Sequence, residues 1–120
     1  MGRYVSIKGW LACEYEQVSA VKQKIEKIAE RASEYTLDNE IAKRYLSAWQ
    51  FPTSPLNWTS YIFFGADVRS HALNFIQEQI RSGISVDQEI DGEFFVDEEE
   101  GLSYQWHIES GKIERIEKQA

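Results

Sequence analysis

Two histidines, one cysteine and twenty acids are the residues of this 120-residue chain whose chemistry could serve a reaction or a metal. His71 and His107 stand apart, with no HxxxH, HExxH or Cys/His spacing, so a transition-metal site would have to be assembled across the fold. Cys13 has no disulfide partner in the chain, which makes a reducing cytoplasm the expected compartment. No GxSxG surrounds a serine, and Ser70-His71, adjacent on a helix, do not bring a hydroxyl to an imidazole base. The phosphate-cradling GxxxxGK[ST] pattern is absent. No catalytic motif, metal set or cofactor motif emerges, and the chain reads as a non-enzyme without a cofactor.

The carboxylates are distributed unevenly. Nine fall between Ile84 and Gly111, a stretch with no Lys or Arg: Asp87, Glu89, Asp91, Glu93, Asp97, Glu98, Glu99, Glu100 and Glu109. The rest of the chain holds eleven acids and thirteen bases, so the whole net charge of −7 belongs to this quarter. Asp87, Glu89, Asp91, Gly92 and Glu98 match positions 1, 3, 5, 6 and 12 of a calcium-binding EF-hand loop. Against calcium, position 3 is Glu, position 8 is Phe94, and the following residues alternate like a strand. Paired carboxylates between Asp87 and Glu100 could also serve acid–base chemistry, although acid-rich turns are ordinarily just solvated.

These residues must be positioned by the elements around them. Arg3 to Glu14 alternates, with Val5, Ile7, Leu11 and Cys13 on one parity and Tyr4, Ser6, Lys8 and Trp10 on the other; Gly9 interrupts the apolar parity and suggests a bulge. Cys13, on the apolar parity, reads as a packed thiol. Glu16 to Tyr35 shifts to helical period, and a second helix spans Asp38 to Trp49, capped by Asp38 or Asn39. Pro52 and Pro55 impose a loop over Gln50–Asn57. Thr59 to Val68 carries apolar residues on both parities, so it is covered on both faces or presents aromatics to a partner. A third helix runs from an N-cap at Ser70 to a stop at Gly83. Asp91-Gly92 then signals a turn, followed by strands over Glu93–Asp97 and Leu102–Glu109 and an edge strand over Lys112–Glu117.

That order predicts an α+β fold, a mostly antiparallel sheet of four to five strands with about three helices packed on it. One domain over residues 1–120 is expected. Hydrophobic residues at 42% and charged residues at 28% describe a chain with a core. The net charge argues against nucleic acid, and no apolar run is long enough for a membrane span.

A small acidic chain with clustered carboxylates, sixteen aromatics and no catalytic motif resembles the immunity proteins of bacterial toxin systems, colicin-type and contact-dependent-inhibition pairs among them. Asp87 to Glu100 and the aromatic strand Leu102-Ser103-Tyr104-Gln105-Trp106 carry the resemblance. It implies a one-to-one neutraliser of a basic toxin domain, often a nuclease, whose phosphate-binding cleft the carboxylates shield by mimicking charge. On that reading Asp87, Glu89, Asp91, Asp97, Glu98, Glu99 and Glu100 steer and pair with toxin cations, while Tyr104 or Trp106 supplies an anchor. The competing expectations are a small-molecule-binding or regulatory α+β domain, with an apolar pocket between sheet and helices, and a calcium-binding protein. Self-pairing through the Lys112–Glu117 edge strand is a further possibility.

Overall fold

The period-two segments pair into one sheet and the period-3.6 segments cover a single side of it. The computed structural model describes residues 3–117. Six strands run β1 (Tyr4–Cys13), β2 (Trp49–Gln50), β3 (Ser60–Arg69), β4 (Asp91–Glu98), β5 (Ser103–Glu109) and β6 (Lys112–Glu117), with helices α1 (Val18–Ala29), α2 (Asn39–Leu46) and α3 (Leu73–Ile84) between them. Every pairing is antiparallel, and the spatial order is β2-β3-β1-β4-β5-β6. The α+β class is as expected. The sheet has six strands rather than four to five, because Trp49-Gln50, read as the end of a helix and the start of a loop, adds a short edge beside Phe64 and Phe63.

Alternation on each strand sends one parity into the core. Val5, Ile7 and Leu11 of β1, Ile62, Phe64 and Val68 of β3, Phe94 and Val96 of β4, and Tyr104, Trp106 and Ile108 of β5 are buried together. Val21 and Ile25 of α1 and Phe75, Ile76 and Ile80 of α3 close over them. Gln79 of α3 is a fully buried polar side chain in this core. Its Oε1 accepts the Trp49 indole N–H at 3.2 Å and its amide donates to the Ile25 carbonyl at 3.4 Å. The molecule measures 44 × 37 × 21 Å, and the short dimension is that of one helix layer on one sheet.

Several local expectations change. The first helix ends at Ala29, and a 3-10 turn over Ala32–Tyr35 follows, fixed by Thr36 in the left-handed region at φ 61°. Asp38 caps α2, its side chain accepting the Ile41 N–H at 2.9 Å. Ser70 opens a 3-10 turn and makes no side-chain cap. Gly83 lies within α3, where an added Cβ would meet Val21 and Ile25 of α1 at 3.2 and 3.3 Å; it lets two helices approach instead of ending one. Gly9 forms no bulge, since the registers of β1 with β3 and β4 run through it unbroken. Its missing side chain admits β4, whose Phe94 Cα would lie 2.6 Å from an added Cβ. Asp91-Gly92 is not a turn: both residues pair with β1, opposite Ala12 and Leu11. An eight-residue strand therefore takes up positions 5 to 12 of the calcium-type loop, and its alternate residues point to opposite faces, so the carboxylates cannot ring one ion.

Candidate functional site

The helices cover one face of the sheet and leave the other bare. Tyr4, Ser6, Lys8, Trp10 and Ala12 of β1 share that bare face with the odd-numbered residues of β3, β4 and β5, as the cross-strand pairs Trp10–Phe63, Trp10–Glu93, Lys8–Phe95 and Glu93–His107 fix. Four aromatics occupy its middle. Phe63 is 52% exposed, Tyr61 47% and Phe95 38%, with Trp10 partly exposed between them. Trp10 and Phe95 lie 6.3 Å apart by ring centroid, and Tyr61 stacks on Phe63 at 6.2 Å. A shallow hollow of about 630 Å³ lies among Lys8, Trp10, Gln50, Phe63, Gly65 and Phe95. This hollow opens on the side away from the helices, and not between sheet and helices where the alternative small-molecule reading would place a pocket.

Carboxylates surround the aromatics. Asp67, Asp91, Glu93, Asp97, Glu109 and Glu114 stand on the bare face against the cations Lys8, Arg69 and Lys112. Glu93 accepts from the Gln105 side-chain amide and meets His107 Nδ1 at 2.5 Å. That contact, reinforced by Glu109 and Glu114, holds the imidazole pKa above its ordinary value. Burial, with a smaller contribution from Glu14, pushes the Cys13 thiol up to about 11, as befits a packed thiol.

The acidic stretch read from the sequence does not form one patch. Asp87, Glu89 and Asp91 lie at the head of β4, while Asp97, Glu98, Glu99 and Glu100 lie at its foot, about 23 Å away along an extended strand. The two groups have different surroundings. At the foot, Asp97 accepts from Ser103 Oγ at 2.6 Å, Glu98 from the Tyr104 hydroxyl at 2.8 Å and Glu99 from the Tyr4 backbone N–H at 3.2 Å. Glu100 pairs with Arg3 at 3.0 Å on the surface. The repulsion expected among these acids is thus offset within the chain. At the head, Asp87 accepts from the Gln17 amide at 2.8 Å, and among the described residues no hydrogen bond or ion pair engages the side chains of Glu89 and Asp91. With Glu14 these acids line a hollow of about 250 Å³ beside Trp58, which is 80% exposed.

Tyr104 and Trp106 are 3% and 2% exposed. They lie on the helix-covered parity of β5, so the anchoring role expected of them is corrected: neither can reach a partner while the sheet is folded. Burial and the Glu98 hydrogen bond raise the Tyr104 pKa, and the Arg115 guanidinium lies 3.7 Å over its ring. Of the exposed aromatics that take their place, Tyr61 and Phe63 fall within the double-parity apolar pattern of Thr59–Val68, whereas Trp10 and Phe95 lie outside it.

Among the described residues no group of three or more His, Cys, Asp and Glu side chains is arranged to hold a metal ion, and no helix is long and apolar enough to cross a membrane. No protein-family model, no curated protein and no solved structure matches this chain.

Proposed function

We propose that this chain is a binding protein that docks onto a basic protein through the bare face of its sheet, and that it serves as the immunity partner of a basic toxin domain. One observation carries the reading. A sheet face with four partly exposed aromatics at its middle and Tyr4 at its end is rimmed by twice as many carboxylates as cations, an apolar centre within a charged border. Exposed aromatics on a bare sheet face cost solubility and gain nothing for the isolated fold, whose core is already closed by the helices on the other side. A partner that covers them removes that exposure, and the rim selects a cationic surface. Nucleic acid does not fit, since phosphates would meet the same acids.

The immunity reading is tested by co-expression. The C-terminal domain encoded immediately upstream of this chain's gene is produced in bacteria alone and together with the chain. Growth arrest by the domain, relieved by the chain and no longer relieved by its Phe63→Asp variant, is the expected result. A domain that is harmless, or whose toxicity the chain does not relieve, overturns the reading.

A further inference from the structure

Gly65 lies in the interior of β3, opposite Lys8, with its register unbroken. Glycine within a strand weakens it, and ordinarily a bulge, a positive φ or a close internal neighbour explains its presence. None of these applies to Gly65: its φ is not in the left-handed range, and a Cβ added there meets nothing within 4 Å. Gly9 and Gly92 differ, because in each an added Cβ would strike a neighbouring backbone. What the absent side chain of Gly65 does is deepen the floor of the hollow between Phe63 and Phe95.

We infer that this hollow is the anchor subsite of the docking face, and that it takes a large apolar side chain, aromatic or branched aliphatic, projecting from a basic protein surface. The inference rests on the docking reading above and specifies how that docking is achieved. Charge places the occupant. No Asp or Glu lines the hollow and the cationic residue Lys8 does, so a partner Arg or Lys gains nothing inside it. The carboxylates of the bare face, with Glu93 beside Trp10, Asp97 beside Phe95 and Asp67 beside Gly65, lie around it and meet the cations flanking the inserted side chain. An apolar knob ringed by charge pairs that exclude water is how an interface concentrates its binding energy.

Three peptides supply the test: acetyl-Lys-Lys-Gly-Phe-Gly-Lys-Lys-amide, the same peptide with Ala for Phe, and the Phe peptide with Glu for every Lys. Each is titrated into the isotopically labelled protein and followed through its backbone amide resonances. The basic Phe peptide is expected to bind about tenfold more tightly than the basic Ala peptide, the worth of a partly buried aromatic. Its shifts should centre on Lys8, Phe63, Gly65 and Phe95, and the acidic peptide should not bind. Gly65→Leu, which fills open space and should melt no lower than the wild type, is expected to abolish the Phe advantage. Equal binding of the two basic peptides overturns the anchor subsite and leaves the docking face standing. Preference for the acidic peptide, or no binding by either basic one, overturns the docking face itself. The peptide comparison needs no variant, so the inference stays testable even if Gly65→Leu folds poorly.

Discussion

Among individual side chains, Gln79 shows how the core constrains the sequence. It is fully buried, and its two hydrogen bonds tie the Trp49 indole to the α1 backbone. Gln79→Leu leaves the indole N–H and the Ile25 carbonyl with one partner fewer, and should cost about 1–3 kcal/mol in chemical denaturation. In a Trp49→Phe background the indole is gone, so the added cost should shrink. A full, additive cost would show that the bond to the indole contributes nothing. His107 offers a pH-resolved counterpart. Its pKa is raised mainly by the hydrogen bond to Glu93, so protonation favours the folded chain. The contribution is complete below the unfolded imidazole value of about 6.5 and fades as pH rises through the higher folded value. The melting-temperature difference between wild type and His107→Gln should therefore narrow on going from pH 6 to pH 8; a constant or widening difference would contradict the assignment. Neither residue drew attention in the sequence for these roles. Gln79 sits on the apolar stripe of α3 where only a tertiary partner explains it, and the Glu93–His107 contact spans a strand pairing that composition does not reveal.

Among elements, the glycines separate what was legible from what was not. The alternation of β1, the helical period of α1 and the turns before β5 and β6 were readable because each element buries one face and its residue types follow that face. Gly9, Gly83 and Gly92 were misassigned, because a missing side chain looks the same in sequence whether it makes a turn, a bulge, a helix stop or room for a neighbour. Gly9 and Gly65 lie on neighbouring strands and should answer to the same substitution in opposite ways. Gly9→Ala forces a Cβ against the backbone of Glu93 and Phe94, and should destabilise by about 1–3 kcal/mol. Gly65→Ala enters open space and should stabilise by about 0.5 kcal/mol through lower unfolded-state entropy and better strand propensity. Thermal unfolding of the two variants decides it, and a destabilised Gly65→Ala would mean that the strand itself requires this glycine. The aromatic strand Leu102–Trp106 was assigned correctly as a strand and wrongly as an anchor. Alternation shows that two faces differ but not which face the helices take.

For the whole molecule, charge acts through its placement rather than its total. The acids at the foot of β4 are engaged inside the chain, whereas Glu89 and Asp91 at the head lie beside exposed Trp58 with no such partners among the described residues. Glu89→Lys with Asp91→Lys should thus slow association with a basic partner severalfold at low salt and much less at high salt, with little change in dissociation. Stopped-flow association at two ionic strengths reads this directly, and a salt-independent effect would point to contact loss instead of steering. The central claim, that the bare sheet face is the docking surface, is most directly tested by hydroxyl-radical footprinting of the chain alone and in complex with the upstream-encoded domain. Protection should fall on Trp10, Tyr61, Phe63 and Phe95 while Tyr15 and Tyr35 on the helical side stay reactive. Protection of the helical side, with the four sheet aromatics as reactive as in the free chain, would contradict it.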